Sequence, residues 1–544
     1  MNENNLNNNL VLEDDNSSNL KFLNSKYLKK DKIEYRLYQE LLAAISLNQS
    51  TLIVAPTGLG KTIIAVYLIS EMYKPEKSIL FLSPTKPLIS QHKKSLENLL
   101  TIDSKKIVLL TGEISKEKRV LAYKEKGQII CATPQTIRND ILSNLINQEN
   151  FNLIIFDEAH RAVGDYSYID ISKFFSKDIK RLALTASPGS SKNKILEVKD
   201  NLMLSHIEIR TEDSFDVKEY TKDVDVEIIN LELDKYSKEI SKLIDEFINK
   251  RILILRKLGF PLSKNYTKKE IIVLQARILQ RASRNKSLFF ALSYTSMILK
   301  VYHGKELIET QGFYALRLYL DKLFSEGCKE KASKAIKQIV LADEFKKILS
   351  ILDKAKANEI LSSKDLELIK IVNDFILINT LSKILVFNNF RDNASYLVNL
   401  LNKNEKIKSV RFVGQASKGE DKGLSQKEQA EILNDFKSGK YNCLVATCVA
   451  EEGLDIPLVD LVVFYDAVPS EIRSIQRRGR TGRFSAGKVV VLINKDTIDE
   501  RYYYVSENKE AKMKNILSKF DFNDTNKQER KPYQKKQKSL SDFA

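Results

Sequence analysis

Residues 55–62 read APTGLGKT, directly after the apolar run TLIVA (51–55) and at the start of a helical pattern. A strand, a glycine-bearing turn and a helix N-terminus are what a phosphate-binding loop needs. Thr57, Gly58 and Gly60 lie in the turn, and the two glycines let backbone N–H groups face phosphate oxygens. Lys61 is placed to reach the β- and γ-phosphates of ATP and Thr62 to ligate Mg²⁺, with the positive end of the helix behind them. The strict pattern would begin with glycine, and here it begins with Ala55. A second apolar run, FNLIIFDEAH (151–160), ends in two carboxylates. Asp157 suits the Mg²⁺ that accompanies ATP, and Glu158 suits orientation and deprotonation of the attacking water. Far downstream, QRRGRTGR (476–483) holds four arginines in eight residues. Gln476, Arg480 and Arg483 read as groups that complete the ATP site from a second domain, the guanidinium groups neutralising charge on the γ-phosphate. A cleft that closes on a nucleotide is a motor element.

These side chains need rigid elements to hold them. Short runs of Ile, Val, Leu and Phe recur at 51–55, 78–84, 106–112, 127–133, 151–159 and 181–187, with helical spacing between them. Their lack of alternation predicts strands buried on both faces, hence a parallel sheet covered by helices. From about 235 to 375 apolar residues recur at three and four, as in Tyr236, Ile240, Leu243, Ile244, Phe247 and Ile248, which predicts an all-helical segment. Strand-like runs return at 383–387, 409–414, 442–447, 461–466 and 488–493. The expected fold is α/β, with two parallel-sheet domains around a helical insertion. The expected boundaries are a disordered arm (1–25), an ATP-binding domain (26–210), the helical insertion (211–375), a second α/β domain (376–505) and a basic tail (506–544), helical at most to about Phe520.

A length of 544 residues suits about three domains. The 43% hydrophobic and 29% charged content excludes wholesale disorder and fibrous classes. A net charge of +17 suits a polyanionic partner, nucleic acid or an anionic membrane surface, although lysine-rich surfaces alone give the same excess. Cys131, Cys328, Cys443 and Cys448 are scattered and read as reduced core residues, which points to the cytoplasm. The polar, Asn-rich N-terminus is no signal peptide, and no apolar run approaches the ~20 residues that span a bilayer. In the insertion, Lys264, Lys268, Lys269, Arg277, Arg281, Arg284 and Lys286 either hold duplex nucleic acid or form a solvated helix face.

In order, APTGLGKT, DEAH (157–160), TAS (185–187) and QRRGRTGR resemble motifs I, II, III and VI of superfamily 2 helicases of the DEAH-box kind. The resemblance implies two RecA-like motor domains and further roles. Gln39 of RLYQ (36–39) would read the adenine edge. Pro84, Thr85 and Lys86 of SPTKPLISQH (83–92), Thr111 and Gly112 of TGE (111–113), and Thr133 and Pro134 of ATPQT (132–136) would line the nucleic-acid path. ILVFNNFRDNA (384–394) resembles motif IV and ATCVAEEGLDIP (446–457) motif V, so Arg391, Gln415 and Thr447 would meet the strand and Gly453 and Asp455 the nucleotide. His160, Thr185 and Ser187 would couple the two sites. DEAHRAVGDYSY (157–168), ELIETQG (306–312) and RFVGQASKGEDKGLSQKEQAEIL (411–433) are similar to the archaeal Hef helicases and their eukaryotic relative FANCM, in which the insertion is a thumb-like grip on branched DNA.

That resemblance implies an ATP- and Mg²⁺-dependent helicase or translocase on forked or branched DNA, in repair or stalled-fork processing. Dicer and the RIG-I-like sensors share the general plan, so a double-stranded RNA translocase is the alternative. A clamp-associated scaffold with weak ATPase is the third reading. Many Hef proteins continue into an XPF-type nuclease; this chain ends at Ala544, and Lys535 stands where the nuclease ERKxxxD pattern places aspartate, so nuclease activity is not expected. Gln537, Leu540 and Phe543 have the spacing of a sliding-clamp peptide, or belong to a frayed basic tail.

Overall fold

The computed structural model describes residues 22–220, 225–263, 266–282, 288–415, 422–450, 456–457, 459–470, 473, 475 and 487–519, residue 449 by its backbone only. The short apolar runs form strands because each can be buried on both faces. In the first half these are β1 (Thr51–Val54), β2 (Ser78–Leu82), β3 (Ile107–Leu110), β4 (Ile129–Ala132), β5 (Phe151–Phe156), β6 (Lys180–Thr185) and β7 (His206–Ile209). They make one seven-stranded sheet in the order β3-β4-β2-β5-β6-β1-β7, parallel at every pairing. Ile53, Ile79, Phe81 and Ile155 join the core on one face, and Leu52, Val54, Leu80 and Ile154 the core on the other. Each such side chain contributes about 1.5–3 kcal/mol when fully buried.

The second sheet holds β8 (Asp225–Leu231), β9 (Ile384–Phe387), β10 (Ser409–Phe412), β11 (Cys443–Ala446), β12 (Leu461–Phe464) and β13 (Lys488–Asn494). Its order is β10-β11-β9-β12-β13-β8, again parallel throughout. The expected bounds of the helical insertion, 211–375, shift at both ends. β8 pairs with β13 over seven residues before the helices begin, and the helix Ser363–Ile378 buries Leu368, Val372 and Ile376 in the core under β9 and β12. The chain therefore enters the second sheet, leaves to build the bundle, and returns.

The bundle proper comprises the helices Lys235–Lys257, Lys268–Ala282, Phe289–Gln311, Phe313–Gly327, Lys334–Leu341 and Asp343–Ala357 around one apolar core. Asp234 starts it by accepting from the N–H of Ser237 at 2.9 Å. Gly312 separates two of these helices at φ 84°, and a Cβ there would lie 3.0 Å from Ser362 Oγ.

Both chain ends depart from expectation within the described residues. Leu23 is buried in the first core and its N–H donates to Ile33 O at 2.8 Å, so residues 22–25 belong to the domain and not to an arm. The helix Ile498–Ser518 carries residues 506–518 away from the expected tail. It starts against the bundle at Ile498, passes the second sheet at Tyr503 and ends against the first sheet at Ile516 and Leu517. Cys131 and Cys443 are buried as expected, but Cys328 and Cys448 are exposed. No helix among the described residues is long and apolar enough to cross a membrane.

Candidate active site

A parallel sheet delivers all its C-terminal strand ends to one edge, and in such sheets ligands bind there. The edge of the first sheet collects the predicted residues. The glycine-bearing turn follows β1, Asp157 and Glu158 follow β5, and Thr185 ends β6. Ser83–Lys86 follow β2, Thr111 and Gly112 follow β3, and Thr133 and Pro134 follow β4.

Within the turn, Gly60 caps the helix Lys61–Met72 at φ 66°, ψ 41°, and Gly58 has φ 97°. Both values lie where side-chain-bearing residues are strained. The turn is braced from behind. Tyr38 OH donates to Leu59 O at 2.8 Å and Gln39 Nε2 donates to the same oxygen at 3.1 Å. Ala55 N–H donates to Thr185 O at 3.1 Å, fixing the turn to β6. Lys61 Nζ folds back onto Ala55 O (2.9 Å) and Pro56 O (3.0 Å). Thr57, Gly58, Gly60, Lys61 and Thr62 all keep partial exposure.

Asp157 is buried at the end of β5. His92 Nε2 lies 2.8 Å from its Oδ2, and Ser83 Oγ donates to the same oxygen at 3.2 Å. Burial alone would raise its pKa, but His92, the Lys61 charge and the Glu158 N–H outweigh burial and hold the carboxyl below its ordinary value. An ionised oxygen donor here, with Thr62 opening the helix after the turn, fits a hard cation such as Mg²⁺. The Asp157 carbonyl is fixed by Tyr168 OH at 2.6 Å.

Glu158 sits at φ 49°, ψ 49°, a left-handed conformation that costs a non-glycine residue about 1–2 kcal/mol. Its Oε2 lies 3.3 Å from His160 Nδ1, which lies 3.1 Å from Thr185 Oγ1. Thr185 Oγ1 in turn accepts from Ser187 N–H at 3.2 Å. Glu158, His160, Thr185 and Ser187 thus form one connected row.

Along the same edge, Lys86 pairs with Glu113, and Thr133 Oγ1 meets Thr136 Oγ1 at 2.9 Å where Pro134 opens a helix. Thr85 Oγ1 is buried and finds no hydrogen-bond partner among the described residues. A Cβ on Gly112 would meet none of the described residues within 4 Å. The second sheet repeats the arrangement. Arg391, Gln415 and Thr447 follow β9, β10 and β11, and Arg391 Nη2 donates to Gly414 O at 3.2 Å. Arg281 stands apart on the bundle, its guanidinium 5.5 Å from the Phe260 ring centroid. Gly453, Asp455, Gln476, Arg480, Arg483, Lys264, Arg284, Lys286, Gln537, Leu540 and Phe543 lie outside the described residues.

Motif reading missed four contributors. His92 and Ser83 on Asp157, and Tyr38 and Tyr168 on the loop backbones, are tertiary contacts. Only His92 carried a local signal, a polar residue in the buried stripe Ile89, His92, Leu96. The hub that seats the bundle on the second sheet was also missed. Gln311 Nε2 donates to Asp466 Oδ2 at 2.7 Å, and its Oε1 accepts from Asn388 (2.6 Å) and Asn393 (3.0 Å).

Residues 29–190 match the family described as type III restriction enzyme, res subunit, and residues 367–485 the helicase conserved C-terminal domain. Residues 236–359 match a family described as the helical bundle of a candidate ATP-dependent RNA helicase. A Methanocaldococcus jannaschii protein, named as a candidate ATP-dependent RNA helicase, is 41% identical over 91% of this chain and 62% of its own length. The Neurospora crassa ATP-dependent DNA helicase mph1 is 35% identical over 87% of this chain and 42% of its own length. The chain therefore spans only about two-fifths to three-fifths of the length of these two relatives. The crystal structure of the Pyrococcus furiosus Hef helicase domain is 44% identical, with a TM-score of 0.68, covering 88% of this chain and 100% of that one.

Proposed function

The chain belongs to the superfamily 2 helicases of the Hef and FANCM kind, ATP-dependent enzymes, and on that premise we propose that it is a motor acting on forked or branched DNA. The observation that carries the proposal is the shared sheet edge: the phosphate loop, the Asp157–Glu158 pair and three candidate strand-contacting loops end on one side of one sheet.

In this reading Lys61 leaves the Ala55 and Pro56 carbonyls to meet the β- and γ-phosphates, while the turn backbone and helix N-terminus cradle the remaining oxygens. Thr62 and Asp157 would hold Mg²⁺, which when bound would neutralise charge on the transferring phosphoryl group. Glu158 orients the water and accepts its proton. Gln476, Arg480 and Arg483 complete the site from the second domain, with Gly453 and Asp455. Gln39 reads the base. His160, Thr185 and Ser187 carry the state of the ATP site to the strand side, supported by their continuous row of contacts.

Strand contacts would come from Pro84, Thr85, Lys86, Thr111, Gly112, Thr133 and Pro134 on the first sheet and Arg391, Gln415 and Thr447 on the second. Contacts to phosphates predict sequence-tolerant, salt-sensitive binding. Arg281 and Arg284 of the bundle would add duplex contact. DNA is favoured by the name of the fungal relative; the archaeal one is named for RNA, and double-stranded RNA is the second reading.

The test is ATP turnover by the full chain alone, with forked DNA and with duplex RNA. Stimulation by the fork and strand displacement on it are expected. Stimulation by RNA alone would transfer the assignment to the second reading, and no turnover on any substrate would leave a scaffold. A sliding clamp held through Gln537, Leu540 and Phe543 rests on sequence spacing; loss of clamp pull-down on deleting 537–544, with ATPase retained, is its test.

A further inference from the structure

His92 has no assigned role in the reading above, yet it touches a proposed metal ligand. It lies on the helix Lys86–Leu99, on the stripe that Ile89 and Leu96 bury against β2 and β3. The imidazole is 6% exposed and packs on the Phe81 ring at 4.7 Å between centroids. A histidine at such a core position loses hydration unless a partner restores it. Here the partner is Asp157, whose Oδ2 is 2.8 Å from Nε2.

An ionised carboxylate only accepts, so the nitrogen facing it carries the hydrogen whatever the charge on the ring. The Ser83 hydroxyl, at the end of β2, donates to the same oxygen. Two donors on one oxygen leave the carboxylate little freedom to rotate. Residues that orient metal ligands act in this way, and their loss typically lowers metal affinity by about 10–100-fold.

We propose that His92 is a positioning residue for the ATPase, holding the Asp157 carboxylate in the orientation that meets the nucleotide's Mg²⁺. This rests on the assignment of Asp157 as an Mg²⁺ ligand and adds the residue that aims it. It also has a mechanical consequence. Thr85 caps the helix that carries His92, and Lys86 opens it, so the loop proposed to hold the strand and the group that aims the metal ligand share one rigid element. His92 is six residues beyond Lys86, about 9 Å along the axis.

The experiment is equilibrium binding of a fluorescent, non-hydrolysable ATP analogue to the full chain, titrated with Mg²⁺ and repeated in EDTA. His92→Phe keeps the ring packing on Phe81 and removes the donor. The half-saturating Mg²⁺ concentration should rise by about 10–100-fold, while affinity in EDTA stays at the wild-type value. His92→Gln, whose amide reaches toward the Nε2 position, should restore most of the Mg²⁺ response. Should His92→Phe not fold, His92→Asn, with a shorter donor, should show the same Mg²⁺ defect. A Mg²⁺ curve that superposes on wild type, or an equal loss with and without Mg²⁺, overturns the proposal and leaves His92 a packing residue. Wild-type protein that binds the analogue with no Mg²⁺ dependence overturns the metal assignment of Asp157 as well.

Discussion

Gly60→Ala tests whether the phosphate loop is held in shape by the residue proposed to read the base. Gly60 has φ 66°, and a Cβ there would lie 2.6 Å from Gln39 Nε2, closer than real side chains tolerate. Two costs follow. Placing alanine in the left-handed region costs about 1–2 kcal/mol. Displacing the buried Gln39 amide breaks its 3.1 Å bond to Leu59 O, and orphaning such a group costs about 1–3 kcal/mol. The substitution should therefore destabilise the loop by about 2–5 kcal/mol. In a Gln39→Ala background the clash is gone, and only the backbone term of about 1–2 kcal/mol remains. The double mutant should then fall short of the sum of the singles by about 1–3 kcal/mol. Hydrogen exchange over residues 36–66 of the full chain reads this locally, because a chain of several domains does not unfold in one step. Additive effects would refute the reasoning, since they would mean that Gln39 and the loop do not share space.

Glu158→Gln should lower nucleic-acid-stimulated phosphate release by about 10²–10⁴-fold while ATP-analogue binding is retained; unchanged release would remove Glu158 as the base. Gln311→Leu should orphan the buried Asn388 and Asn393 amides and remove one of the donors to Asp466, and weaken the seating of the bundle by about 2 kcal/mol or more; faster exchange in residues 300–312 and 384–394 is the readout. Glu306 predicts an acid transition. Burial pushes its pKa up, but hydrogen bonds from His303, Lys268 and Tyr502 outweigh that and hold it at about 2, against an ordinary 4.5. A lowered folded-state pKa gives stability that is present above about 4.5 and is lost as the pH falls toward 2. Proteolytic resistance of the bundle should fall in that window in wild type and be less pH-dependent in Glu306→Gln.

The elements legible in the sequence are those whose signal is local. β1, β2, β4 and β9 are apolar at nearly every position because both faces are covered, and that composition needs no tertiary knowledge. β7 and β8 were not legible. HIEI and DVEIINL mix polar and apolar residues because each strand is an edge, half open to solvent. Without β8 the bundle looked like a spacer between two domains, whereas it is inserted into the second. Leu23 has the same lesson in reverse: it follows a polar, Asn-rich stretch that reads as disorder, yet its N–H pairs with Ile33 and its side chain is buried in the first core. The motif residues stand out in the sequence because the phosphate and metal chemistry proposed for them restricts residue type. His92 was not, because imidazole in a helical stripe passes for core until β5 is folded beside it.

The helix Ile498–Ser518 shows how unequal forces divide the molecule. At its first turn, Asp499 pairs with Lys364 Nζ at 2.6 Å, both almost fully buried, and Lys364 also donates to Tyr465 O. Ile498 N–H donates to Glu309 Oε2, and Tyr502 OH to Glu306 Oε1. Removing one partner of a buried pair costs about 3–5 kcal/mol, so bundle, second sheet and helix start hold together as a unit. At the far end the helix meets the first sheet through half-buried Ile516 and Leu517 and through Lys514 and Glu212, 3.8 Å apart and both well exposed. An exposed ion pair is worth about 0–1 kcal/mol, and apolar contact is non-directional. Among the contacts described for this helix, those of its last turn to the first sheet are therefore the weakest. The polar network should carry the bundle with the second sheet, as the grip on nucleic acid proposed for it would require.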